Sequence, residues 1–362
     1  MAIHQSAIRL QEAGVLGSTK MYSMHAPAFS NRYYLLSSSE SRPLLASPEV
    51  VGFEAYKAVL PATAAAFSFL HAQANVTDVD ILTILWGGLN YPLEEACYQC
   101  GIRVGDMHFL SCERKIVDHV ITGLDIKYEK VRAKKGRVLA IGDILATGDT
   151  FRYCLHHFID QYFQNGGTLK RLVFITIGGS RAISIMEETA ARLKRRNPDF
   201  EGVDCFFVEG MFTVYEDKGV SGINVPDIDF GWKGGVVAPE FRSYIVDRPD
   251  ALLEKCIIYD GGARRYEIPV HFEEVLDYWE GIRSRAGSID PKALVGEKLG
   301  YDSPLPFDDW KQVTGLDGLD EQALRPLWKK ETALLESAPS LDLKAVAERR
   351  IASVTTKQKQ YE

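Results

Sequence analysis

Between residues 80 and 208 the sequence alternates short apolar runs with longer stretches of helical periodicity, and that alternation leaves few folds open. Residues 80–86 (DILTILW), 107–112, 137–141 (RVLAI), 172–177 (LVFITI) and 203–208 are strand-length and nearly continuous in apolar character, as strands buried on both faces are. Residues 92–100, 149–163 and the stretch ending at Arg195 read as helices between them. Strands alternating with helices imply parallel pairing and right-handed crossovers. The expected fold class is therefore α/β, with a five-stranded parallel, doubly wound, Rossmann-like sheet. Such sheets bind ligands at the C-terminal ends of their strands. Three glycine-bearing turns fall there: Gly87-Gly88, residues 142–150, and Gly178-Gly179-Ser180.

The flanks are less regular. Residues 1–46, with serines clustered at 37–41, read as an irregular N-terminal arm, and residues 47–208 as the core. The core should open on a helix near Pro48, with Val51, Ala55, Val59, Ala62 and Ala66 on one face and Pro61 kinking or dividing it. Residues 209–270, rich in glycine and aromatics, read as an irregular or antiparallel hood. Residues 271–362 are charged and helical, with helices over 271–285 and 321–357, and suit either an appendage or a cap on the core.

A net charge of -7 gives no general attraction for nucleic acid or anionic lipid, which needs a basic face. There is no apolar run of the roughly 18 residues a membrane span requires, and the first residues lack a signal-peptide core. Neither a nucleic-acid nor a membrane partner is expected. The six cysteines (Cys97, Cys100, Cys112, Cys154, Cys205, Cys256) are scattered, mostly in apolar runs, which suits a reducing, cytoplasmic setting.

Residues 138–150 (VLAIGDILATGDT) carry the chemistry: four apolar residues, an acid at 143, two more apolar residues, then Ala-Thr-Gly-Asp-Thr. A buried strand would deliver Asp143 to the sheet edge, where a carboxylate accepts hydrogen bonds from a pair of sugar hydroxyls. Thr147 to Thr150 would turn into a helix whose free N–H groups and positive dipole end suit a phosphate dianion. Gly148 lets the backbone approach closely, and the Thr147 and Thr150 hydroxyls add donors.

This order resembles the phosphoribosyl pyrophosphate (PRPP) signature of type I phosphoribosyltransferases, and the setting extends the resemblance to roughly residues 50–208. It implies transfer of a 5-phosphoribosyl group from PRPP to a planar nitrogenous acceptor, with release of pyrophosphate and with Mg²⁺ as cofactor. The substrates would be small molecules, and a homodimer is compatible. Carried over residue by residue, Asp143 binds the ribose hydroxyls and the metal. Gly142, Ala146, Thr147, Gly148, Asp149 and Thr150 complete the PRPP site, and the Gly87 and Gly88 amides meet the pyrophosphate. The polar stretch after Cys112, readable as a long hairpin or a mobile loop, looks like the catalytic loop, with Glu113, Arg114 and Lys115 as closing residues. Gly142 departs from the pattern, because the family usually has two adjacent acids there. Asp143 then suffices alone, another carboxylate substitutes, or the chain is a non-catalytic PRPP or nucleotide sensor. Ala146 stands where members acting on 6-oxopurines usually carry an acid, which disfavours hypoxanthine or guanine.

Phe212, Tyr215, Trp232 and Tyr244 are candidates to stack on the acceptor, with Glu209, Glu216 or Asp229 reading its polar edge; a plain hydrophobic minicore fits the same residues. Residues 178–181 (GGSR) suit a second anionic group or simply a helix cap by Ser180. Cys97 and Cys100 share a helix face without a second pair, which favours packing over metal. His156 and His157 are helix neighbours that point apart. A nicotinamide-dependent oxidoreductase is disfavoured, since no G-x-G-x-x-G turn follows the first strand.

Overall fold

The computed structural model describes residues 8–85, 92–117, 120–215, 218–224, 229–255 and 267–362. The first correction comes at once: residues read as an irregular arm form three strands, β1 (Arg9–Leu16), β2 (Thr19–His25) and β3 (Arg32–Ser38). β1 and β2 pair antiparallel through the two-residue turn Gly17-Ser18, with Gly17 at φ +61°. A Gly-Ser pair between two such runs is a hairpin signal. The alternation around it is faint because β1 buries only Leu10 outright.

Helix α1 (Ser41–Leu44) leads into α2 (Gly52–Ala74), which buries Ala55, Val59, Ala62 and Ala66 on the expected face. Pro61 does not divide it, because α2 runs unbroken from Gly52 to Ala74. There follow β4 (Asp78–Ile84), α3 (Leu93–Gln99), β5 (Arg103–Val117), β6 (Val120–Lys130), β7 (Arg137–Leu145), α4 (Asp149–Gln164), β8 (Leu169–Gly179), α5 (Arg181–Arg196), β9 (Val203–Tyr215) and β10 (Asp229–Val237).

All five expected strands exist, but the sheet has ten rather than five. Its order is β1-β2-β3-β9-β8-β7-β4-β5-β6, with β10 paired to β9. Pairing is parallel from β3 through β5, so β3 adds a sixth parallel strand beyond β9. Counted among the five expected strands, the order is 2-1-3-4-5, the flavodoxin-like winding whose switch point lies between the first and third strands, here β4 and β7. The polar stretch after Cys112 is a long antiparallel hairpin of β5 and β6.

Strand β9 crosses the boundary expected at residue 208. Up to Val208 it pairs with β3, and from Gly210 to Tyr215 with β10. Glu209, at φ +61°, is the bulge where it changes neighbour. The remaining helices are α6 (Pro239–Val246), α7 (Pro249–Leu252), α8 (Ile268–Arg285), α9 (Pro291–Leu299), α10 (Phe307–Thr314), α11 (Glu321–Ser337) and α12 (Leu343–Gln358). α9 and α10 lie against β10, α11 against α6, and α12 against α8. Trp279, Trp310, Leu335 and Val354 are fully buried in the same apolar cluster as the sheet, so these helices extend the core rather than hang from it. The Arg242 guanidinium donates to buried Glu331 (2.8 and 2.9 Å), whose second oxygen also accepts from Tyr301 (2.6 Å) and Trp310 (2.8 Å). Among the described residues no helix is long and apolar enough to cross a membrane.

Candidate functional site

Strand β7 is buried from Val138 to Asp143 and is held by β8, where Gly142 pairs with Ile175 and Asp143 with Thr176. The Thr176 hydroxyl donates to the Asp143 carbonyl (2.8 Å), fixing the strand where the acid sits. After Leu145 the chain turns through Ala146 and Thr147 into α4, whose N-cap is Gly148 at φ +74°. A Cβ there would lie 2.6 Å from Ile185 Cδ1 and 2.9 Å from Leu145 Cδ2, so both backbone angle and packing demand glycine. A glycine cap offers no side chain to the first-turn amides of α4. Thr147 and Asp149 are exposed, and Ala146 and Thr150 half-buried.

This turn faces the end of β8. Gly178 and Gly179 are needed there, since a Cβ on either would meet backbone oxygen at 2.8 Å, of Leu145 and Phe212 respectively. Ser180 and Arg181 then open α5. Between the two turns and the end of β9 lies a cavity of about 390 Å³, lined by Ala146, Thr147 and Asp149, by Gly179, Ser180 and Arg181, and by Phe212, Thr213 and Val214. The size suits a small metabolite. Arg181 reaches Asp149 across it at 3.5 Å, and both side chains are at least half exposed, so the contact is loose.

The structure thus brings the phosphate turn together with residues 179–181 and with Phe212. Other expectations fare differently. Asp143 is only 7% exposed and is absent from the cavity lining. Its neighbours include Cys154 of α4, whose thiol is pushed far above the usual thiol range, first by its hydrogen bond to Cys112, then by burial, with the Asp143 charge adding to both. Gly87 and Gly88 lie outside the described residues, as do Glu216 and the side chains of Arg114, Tyr215 and Asp229. Glu113 and Lys115 sit on the hairpin in cross-strand ion pairs, Glu113 with Lys127 (2.9 Å) and Lys115 with Asp125 (2.6 Å).

The hood candidates separate. Phe212 is only 2% exposed, its ring packed against Phe230 and Phe241, and it borders the cavity. Trp232 does not: it is buried against Phe241, with the Arg242 guanidinium 4.6 Å over its ring, as a minicore residue would be. Tyr244 lies elsewhere, stacked with Arg248 in a different recess. Glu209 is fully buried, and its carboxylate accepts from the Ser37 hydroxyl (2.6 Å), the Ser38 amide (2.8 Å) and the Ser41 hydroxyl, so it cannot read an acceptor's edge. Burial pushes its carboxyl up to about 7. Cys97 is buried and Cys100 bonds Ala64 and Ser68, the packing role expected. His156 contacts Thr189 and His157 Glu129, on different sides of α4. Thr213 and Val214 were not anticipated; they line the cavity because β9 runs past its expected end.

No protein-family model matches the chain, and no curated protein does. Solved structures that overlap it include a hypoxanthine phosphoribosyltransferase from Staphylococcus aureus, at 11% identity and a TM-score of 0.27 over 45% of this chain and 78% of that one. A hypoxanthine phosphoribosyl transferase from Trypanosoma cruzi overlaps at 14% identity and a TM-score of 0.28, over 53% and 92% of the two chains. A hypoxanthine-guanine phosphoribosyltransferase from Bacillus anthracis does so at 14% and 0.25, over 44% and 82%. Overlap at these scores assigns neither family nor activity.

Proposed function

We propose that the chain binds PRPP at the turn between β7 and α4 and transfers its 5-phosphoribosyl group to a planar nitrogenous acceptor with release of pyrophosphate. The observation that carries the reading is that residues 146–149 form a glycine-capped helix start opening on a metabolite-sized cavity at the C-terminal edge of a 2-1-3-4-5 sheet. In this reading the amides and hydroxyls of Thr147 to Thr150 hold the 5-phosphate and Asp143 accepts from the ribose hydroxyls. Arg181 lies within reach of negative charge on either substrate, and the acceptor would enter beside Thr213 and Val214 at the end of β9. As the C1–O bond to pyrophosphate loosens, positive charge develops on the sugar ring near the Asp143 carboxylate, and the acceptor attacks from the opposite face.

Among the described residues no trio of acidic, histidine or cysteine side chains gathers that would hold a metal by itself. Asp143 is the carboxylate that would hold a Mg²⁺ ion brought in by the diphosphate, and such an ion would supply positive charge to offset that of the leaving group. Incubation with Mg²⁺, PRPP and a pool of candidate acceptors, with pyrophosphate measured, tests the reading. Asp143→Asn should lower release roughly a hundredfold, as loss of two hydrogen bonds to a charged acceptor at about 1.5 kcal/mol each implies, while leaving the fold intact. Unchanged release would overturn Asp143's role.

A second reading, a non-catalytic PRPP or nucleotide sensor, is favoured by two observations: Gly142 stands where the resemblance expects an acid, and Asp143 lies outside the cavity lining. Saturable binding without release under every acceptor would select it.

A further inference from the structure

Two thiols unused by the proposed chemistry lie against each other below the phosphate turn. Cys112 is half-buried on β5, where the hairpin register shifts between Ser111 and Cys112. Cys154 is fully buried on α4, one turn past the residues that start the helix. The Cys154 thiol donates to Cys112, with the sulfurs 2.9 Å apart. A disulfide has S–S of about 2.05 Å, so less than about 1 Å of sulfur movement separates the pair from a bond. Cys100 differs in that its sulfur is engaged by Ala64 and Ser68.

We propose that Cys112 and Cys154 are a redox modification site: a hydroperoxide converts them to a reversible disulfide that clasps the base of the β5–β6 hairpin to the helix carrying the phosphate turn. Cys112, the more exposed of the two residues, reacts first. Its thiolate attacks a peroxide oxygen, an S–O bond forms, the O–O bond breaks, and the other oxygen leaves as water or an alcohol after taking a proton. Cys154 then attacks the Cys112 sulfur. The S–S bond forms, the S–O bond breaks, and the sulfenic oxygen leaves as water with the proton from Cys154. Two thiols have given up two electrons and the peroxide has taken them. Thiol exchange with a glutathione-type reductant restores the pair.

The geometry assigns the order of events. Cys154 is fully buried with its S–H directed at Cys112, which suits the resolving partner rather than the first nucleophile. The link would also reinforce an existing tie, since His157 on the same helix already bonds Glu129 on β6 at 2.7 Å. Beyond the link lie Glu113 and Lys115 in their ion pairs with Lys127 and Asp125, so the clasp would fix where the hairpin emerges from the sheet.

The test is a peptide map of the full-length protein after hydrogen peroxide treatment and alkylation, without reduction. The expected result is one dominant cross-link joining the peptides of Cys112 and Cys154, with two of the six thiols lost and both recovered by glutathione. Cys112→Ser should abolish the cross-link and leave Cys154 alkylatable only in denaturant. Amide exchange across residues 112–130 should slow in the oxidised wild type. A cross-link between Cys97 and Cys100 instead, or all six thiols surviving, would overturn the proposal, as would equal yield of the 112–154 link in urea. None of these outcomes depends on what the phosphate turn binds.

Discussion

The two ends of the same parallel strands are built on opposite terms. Where the strands begin, charge is buried and matched. Arg32 and Arg171 converge on Asp204, each at 2.6 Å, and Arg137 donates to Asp80 at 3.0 and 2.7 Å and also to Asp78, which Arg103 shares. Asp80 and Asp204 have essentially no exposure. Where the strands end, the chain offers Gly148, Gly178 and Gly179, an exposed threonine, and the loose Arg181–Asp149 contact around a cavity. The first end cannot give up a partner to a ligand without leaving a buried charge uncompensated. The second has an exposed threonine hydroxyl and an exposed ion pair, which cost little to redirect to a ligand. Stability and binding are therefore assigned to opposite edges of one sheet.

The largest effect tests the closed end. Asp204→Ala leaves buried Arg171 with Glu201 as its remaining ion-pair partner among the described residues, and should lower unfolding free energy by about 3–5 kcal/mol, the cost of breaking a buried ion pair, as read by urea denaturation. Ligand affinity of the folded protein should not change. A loss under about 1 kcal/mol, within the range of exposed pairs, would erase the distinction between the two ends. At the open end, Gly148→Val forces a left-handed backbone on a branched residue and crowds Ile185 and Leu145. We expect about 1–3 kcal/mol of destabilisation together with loss of measurable PRPP binding. A variant that binds normally would show that the turn is not the phosphate site.

The smallest effect concerns Glu209, which belongs to neither edge. Its carboxyl, pushed up to about 7 by burial, favours the protonated form in the folded protein. The folded state then holds a proton that the unfolded state has released. The associated stability is fully present below about pH 4.5 and is lost as pH rises to about 7. Glu254, buried beside Trp279 and Arg350, is raised in the same sense. Glu209→Gln should make stability fall less steeply than wild type over that window in chemical denaturation; an unchanged slope would remove Glu209 from the pH response.

The open end was legible in the sequence because its signals are local. An apolar tetrad, an acid and Ala-Thr-Gly-Asp-Thr specify a strand, a turn and a helix start within 13 residues, and Gly178-Gly179 marks the next strand's end in the same way. The closed end was not legible, because its partners come from distant segments: Arg32 meets Asp204 across 172 positions. The N-terminal strands escaped for a related reason. β3 is buried along nearly its whole length with β9 beside it, and in the stretch that reads as a polar arm Ser37, Ser38 and Ser41 bind the carboxylate of Glu209. The sequence leaves Trp232 open between a platform and a minicore residue, because an aromatic in a glycine-rich stretch gives no hint that Arg242, ten residues on, will cover it. The Cys112–Cys154 contact likewise depends on how the hairpin folds back over α4.

Amide hydrogen exchange across residues 143–151, with and without Mg²⁺ and PRPP, tests the central claim most directly. The account predicts that exchange slows from Thr147 to Phe151 on addition of PRPP in the wild type and does not slow in Gly148→Val. Protection confined to other segments, for instance around Tyr244 and Arg248, or equal protection in the variant, would contradict it.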